Sequence, residues 1–122
     1  VEEILRFLTT PIGQRLLAAP FVRREVPFSL ALPASVGEDE VVMLQGVIDC
    51  LFRDEQGLVL LDYKTDTIYG PFASFEQAKP VLLERYRLQI QLYARAVEAI
   101  WGMPVTEKVL YFFDGGHLLP VP

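Results

Sequence analysis

A single cysteine, a single histidine and a deficit of positive charge are the first things the chain shows, and each removes a class of protein. Cys50 alone excludes an internal disulfide, and it cannot hold an iron–sulfur cluster by itself. No apolar run approaches the roughly 18 residues that a membrane span requires, and the N-terminus has no leader pattern. An intracellular protein without a membrane partner is the expectation. Lys and Arg number 11 against 16 Asp and Glu, a net charge of −5. Nucleic-acid binders usually carry a basic footprint, because neutralising phosphates supplies much of their affinity. Either this chain does not bind nucleic acid, or the basic surface lies in other parts of a larger protein. It opens on Val1-Glu2-Glu3 without an initiator Met, which reads as a piece of a longer chain with the N-terminal part of its domain missing. Repeats and low-complexity tracts are also lacking. A 52% apolar content over 122 residues then suits one folded domain, residues 1–122.

The apolar spacing predicts helix over residues 1–18 with a break at Thr10-Pro11. A strand follows from Val22 to Leu32, which Pro27 confines to an edge or a bulge. Residues 33–39 read as loop. Val41 to Phe52 and Leu58 to Thr65 read as strands joined through Asp54-Glu55-Gln56-Gly57, which completes an antiparallel meander. Phe75 to Leu83 is a short helical stretch interrupted at Pro80. A long helix from about Glu84 to Trp101 carries the apolar stripe Tyr86, Ile90, Tyr93, Val97 and Ile100, and its outer face holds Arg87, Gln91, Arg95 and Glu98. Gly102 is placed as its C-cap. Val105 to Phe113 is a last strand, and Asp114-Gly115-Gly116 turns into a short tail. The expected architecture is α+β, of the three-layer type, with an αβββαβ core and a mixed sheet flanked by helices.

Chemistry is signalled by charges inside apolar strands. Asp49 lies between Gly46-Val47-Ile48 and Cys50-Leu51-Phe52; Asp62 follows Leu58-Val59-Leu60-Leu61, with Lys64 two residues on. A carboxylate in such a strand loses hydration worth several kcal/mol unless it is paired or binds a metal. Alternation puts Asp62 and Lys64 on one face. A two-residue loop Glu55-Gln56, or a four-residue loop Asp54 to Gly57, would set Asp49 directly opposite Asp62; a three-residue loop would separate them. Two facing carboxylates repel unless a cation lies between them, and oxygen-only ligation suits magnesium or manganese. The plainer reading is an ion pair at a wet strand end for Asp62 and Lys64, and an outward-pointing Asp49.

Taken in order, Gly46-Val47-Ile48-Asp49, Asp62-Tyr63-Lys64-Thr65 and Gln89-x-x-x-Tyr93 resemble the motifs of the RecB-like nucleases, a branch of the PD-(D/E)xK group with the restriction-endonuclease fold. Arg24-Glu25-Val26-Pro27-Phe28 and Tyr111-Phe112-Phe113-Asp114 resemble the branch found at the C-terminal end of bacterial helicase–nucleases. The resemblance covers nearly the whole chain from about Phe7. It implies that Asp49, Asp62 and the backbone carbonyl of Tyr63 ligate Mg2+, with Mn2+ as a substitute, and that Lys64 steadies the attacking water or the developing phosphorane. It implies DNA as substrate, and as partners the helicase portion of the parent chain and a partner subunit in the bacterial cytoplasm. Glu25, Gln89 and Tyr93 would lie near the site or the DNA. Gln89 and Tyr93, four apart on one helix face, also fit a satisfied amide and a core tyrosine, and Glu25 also fits an outward charge on an edge strand.

One departure stands out. The family carries a His on a helix upstream of the Glu25 segment, completing the metal shell. The chain's one histidine, His117, is out of place for that and reads as a surface residue of the tail. Weak metal binding and poor cutting by the isolated chain are therefore expected. Two rival readings remain at this stage. One is a catalytically inactive RecB-like DNA-binding or scaffolding module, which intact Asp49, Asp62 and Lys64 argue against; the other is an unrelated α+β interaction module.

Overall fold

Thr10 and Pro11 end one helix and begin the next. In the computed structural model, which describes residues 2–33 and 41–122, α1 spans Glu2–Leu8 and α2 spans Pro11–Ala18. Thr10 caps α2 by accepting a hydrogen bond from Gly13 N at 3.0 Å, and Pro11 occupies the first turn, where its missing N–H costs nothing.

Three antiparallel strands follow: β1 (Phe21–Pro33), β2 (Val41–Asp54) and β3 (Gly57–Lys64). As Pro27 required, β1 is an edge strand. The expected loop over 33–39 lies outside the described residues, apart from Pro33, which ends β1. Asp54 pairs with Gly57, so the β2–β3 turn is the two-residue loop Glu55-Gln56. Arg15 of α2 braces this turn through Asp54 at 2.7 Å and reaches Glu107 at 2.7 Å.

The crossover is one helix, α3 (Phe75–Trp101), where the sequence suggested two pieces. Pro80 removes one N–H, but the carbonyl four residues back belongs to exposed Glu76, where water can serve it. Buried Phe75, Ala78 and Leu82 continue the apolar face across the proline to Ile90 and Val97. Ser74 caps the start and Gly102, at φ 70°, closes the end by donating to Glu98 O. Ile100 does not join the stripe; it is 51% exposed. Trp101, four residues after Val97, takes that place and meets Phe21 edge to face at 5.6 Å.

β4 (Val105–Phe112) returns parallel to β3, and β5 (His117–Pro120) pairs antiparallel with β4, so the expected tail is a fifth strand. The mixed sheet runs β1-β2-β3-β4-β5, consistent with the α+β, restriction-endonuclease-like expectation. One cluster packs α3 on one face, with Leu51, Leu58, Leu60, Leu110 and Phe112; the other packs α1 and α2, with Cys50, Phe52, Val59, Leu61 and Tyr111. No helix among the described residues is long and apolar enough to cross a membrane.

Both β1 and β2 change faces at one point. Phe21 meets α3 while Val22 packs toward α1 and α2, but beyond Glu25 the even-numbered Val26, Phe28 and Leu30 take the α3 side. On β2, Leu51 and Ile48 share the α3 side although they are three positions apart. Glu25, at φ 50°, is the described non-glycine residue with left-handed backbone, and a single such residue reverses the alternation. The β1–β2 register is unchanged on either side, since Arg24 faces Cys50 and Val26 faces Ile48. The two strands therefore swing together as an arm, and β2 leaves β3 after the pair Cys50–Leu61. Gly46 lets that arm close on α3: a Cβ there would lie 2.6 Å from the Tyr93 hydroxyl and 3.0 Å from Phe28.

Candidate active site

The parting of β2 from β3 opens the sheet one residue past its last ladder pair, and Asp49 occupies the opening. Its Oδ2 accepts from Tyr63 N at 2.9 Å, a bond that stands where the next rung would have been. Continuing the Cys50–Leu61 register by one step sets Asp49 opposite Asp62, the pairing that the short turn allowed. Asp62 is only 7% exposed, and among the described residues it is the one charged side chain in the buried class. Burial, and then the neighbouring Asp49 carboxyl, push its pKa up to about 6, while Lys64 works in the opposite direction.

Lys64 projects on the same face as Asp62, with Nζ 2.6 Å from Asp62 Oδ2. The contact is an ion pair whose angles miss hydrogen-bond geometry, so Oδ2 stays buried without a hydrogen-bond partner. Nζ does donate to Gln89 Oε1 at 3.1 Å and lies 4.2 Å from the centre of the Tyr86 ring. The Tyr86 hydroxyl donates to Asp66 at 2.7 Å, and Arg85 meets the same carboxylate at 2.6 Å. The amide and ring of α3 thus hold the ammonium of β3 in place.

The other expected residues divide. Glu25 is exposed and helps line a cleft of about 470 Å³ with Arg24, Asp49 and Tyr63, so the left-handed turn of β1 brings it to the site. Gln89 lies near the site as the resemblance implied, accepting from Lys64, but it is exposed and not a buried, satisfied amide. Tyr93 packs edge to face on Phe28 at 5.0 Å and against Gly46, the core role left open for it. His117 is not a loose tail residue: it lies in β5, stacks on Phe75 at 4.2 Å and shares a 2.6 Å hydrogen bond with the Tyr69 hydroxyl. It stands two strands away from Lys64 across β4, apart from the carboxylates. Sequence reasoning missed Arg24, Tyr86 and Asp66. Tyr86 was placed in the stripe, where its spacing from Gln89 was a usable signal; Asp66 lies in a loop, and no periodicity marks it.

The residues present suit a hard divalent ion with incomplete protein ligation. Two carboxylates face one opening, and one has a buried oxygen without a hydrogen-bond partner. The N–H and C=O of a strand residue leave by the same edge, so the Tyr63 carbonyl joins its N–H on the Asp49 side. Among the described residues no group of three or more His, Cys, Asp or Glu side chains is gathered. Magnesium tolerates this, since it commonly binds one or two carboxylates and fills its remaining positions with water and phosphate oxygens.

A sheet opened beside a buried Asp-x-Lys, with a second carboxylate across the gap, is the arrangement of a nuclease fold. The model of the PD-(D/E)XK nuclease superfamily matches residues 2–119, and the chain belongs to that superfamily. It is 53% identical to an ATP-dependent helicase/nuclease subunit of Bacillus licheniformis, over 97% of this chain and 10% of that protein. It is 48% identical to the corresponding proteins of Bacillus cereus and of Bacillus thuringiensis, over 99% of this chain and 10% of each. The chain thus spans about a tenth of the length of these relatives.

Proposed function

We propose that this nuclease domain hydrolyses DNA phosphodiester bonds with magnesium, or manganese in its place, as the nuclease unit of an ATP-dependent helicase–nuclease in double-strand-break repair and recombination. The observation that carries the reading is the buried, partly unsatisfied Asp62 facing Asp49 with Lys64 against it. Asp49, Asp62 and the Tyr63 carbonyl would hold the ion, which when bound lowers the pKa of a water and polarises the scissile phosphate. Because burial raises the Asp62 carboxyl to about 6, a proton competes with the ion there as the pH falls, and ion binding favours higher pH. Lys64, fixed by Gln89 and Tyr86, offers a preformed donor to the attacking water and to the charge that grows on the phosphorane. The net charge of −5 makes DNA affinity the task of the helicase portion of the parent chain and a partner subunit, working in the bacterial cytoplasm.

The test is cleavage of linear DNA by the parent protein, with and without the metal. Asp62→Ala should abolish cutting and leave ATP hydrolysis nearly intact. Full nuclease activity in that variant would overturn the site, and robust cutting in excess chelator would overturn the mechanism.

A further inference from the structure

On the α1–α2 side of the opening, a second cavity of about 320 Å³ adjoins the carboxylate cleft and shares Arg24 and Tyr63 with it. Its character is different. Ile4, Leu8 and Leu17 supply the outer wall, with Ile4 58% and Leu17 60% exposed. Its inner wall is aromatic: Tyr63 and Phe113 stack at 5.6 Å and 26°, held from behind by Phe7, which meets Tyr63 edge to face. Arg24 stands at the boundary of the two cavities, exposed, and among the described residues no carboxylate lies within ion-pair distance of it.

Resting on the nuclease reading, we propose that this apolar cavity is a base subsite. It receives one unpaired nucleobase next to the scissile phosphate, and Arg24 binds the phosphate between base and cleft. Two observations choose this occupant over a protein segment. The cavity shares Arg24 and Tyr63 with the cleft that would hold the scissile group, and Arg24, the one cation in its lining, belongs to both. Its volume, at the lower end for small-ligand sites, has room for a single base. The subsite discriminates little between bases, because an aromatic and aliphatic slot reads mainly the π-face that every base presents.

The experiment is methyl and guanidinium NMR of this chain in EDTA, where the outcome does not depend on the metal site. The probes are tetrathymidylate and a tetramer with the same phosphates whose sugars carry no bases. Tetrathymidylate should shift the methyls of Ile4, Leu8 and Leu17 together with the Arg24 guanidinium, and bind on the order of ten-fold more tightly than the baseless tetramer. The baseless tetramer should leave those methyls unmoved. Ile4→Ser with Leu17→Ser, both exposed and so tolerated by the fold, should erase the difference between the probes. Arg24→Gln should weaken both probes and lower the salt slope by about one. Unmoved methyls, or equal shifts with both probes, overturn the base subsite even if the parent proves to be a metal-dependent nuclease. Base-dependent shifts in a protein whose parent never cuts DNA would instead leave the subsite standing and remove the nuclease reading.

Discussion

Replacing Asp62 by Asn removes the one titrating group that burial has moved furthest toward neutrality among the carboxylates. Its carboxyl, ordinarily at 3.8, is raised to about 6 chiefly by burial and then by Asp49. The folded state therefore holds this proton more tightly than the unfolded chain. The stability this confers is complete below about pH 3.8 and is lost as the pH climbs through about 6. About two pH units of difference correspond to about 3 kcal/mol at most, at 1.36 kcal/mol per unit, and rearrangement of Lys64 toward Gln89 will reduce the measured value. Asn keeps the shape and does not titrate. Urea unfolding of both proteins at pH 4 and pH 8 should show Asp62→Asn gaining on the wild type by about 1–3 kcal/mol at the higher pH. A stability difference that stays constant across that range would refute the reasoning, because it would mean the Asp62 carboxyl ionises as freely in the fold as out of it.

Lys64→Ala should lower cleavage by the parent protein on the order of 100- to 1,000-fold, while manganese binding, measured by calorimetry, survives, since Lys64 is no ligand. Gln89→Ala should leave thermal stability nearly unchanged, because the side chain is exposed, yet slow cleavage by roughly ten-fold through loss of the bond that fixes Lys64. Gly46→Ala, pressed against Tyr93 and Phe28, should cost about 1–3 kcal/mol in unfolding experiments, and Tyr93→Leu in the same protein should recover part of it. The 122-residue chain alone, acidic and with two carboxylates gathered at its site, should bind DNA weakly in mobility-shift assays and cut it little or not at all.

The sequence made the site's pairwise logic readable because strand geometry is periodic. Alternation alone placed Lys64 beside Asp62, and the short turn at Glu55-Gln56 allowed Asp49 to face it. Helix spacing put Gln89 and Tyr93 on one face and the resemblance put Gln89 near the site, but neither speaks of depth, and the amide proved exposed. Features that depend on one backbone angle or on distant packing were invisible. No pattern announced that Glu25 would adopt φ 50° and turn the β1–β2 arm, and with it Arg24, toward the cleft. Pro80 reads as a break by local rules, yet apolar contacts on either side carry the helix through it. His117 looked like tail because a four-residue strand has too short a pattern to detect, and only pairing with β4 defines it.

The central claim is that Asp49 and Asp62 together hold a divalent ion, and calorimetric titration of this chain with manganese at pH 8 tests it most directly. One ion per chain should bind, with proton uptake by the buffer that grows as the pH is lowered toward 6. Asp49→Ala and Asp62→Ala should each abolish the signal. Undiminished binding in both variants, or no binding by the wild-type chain at millimolar manganese, would contradict the account.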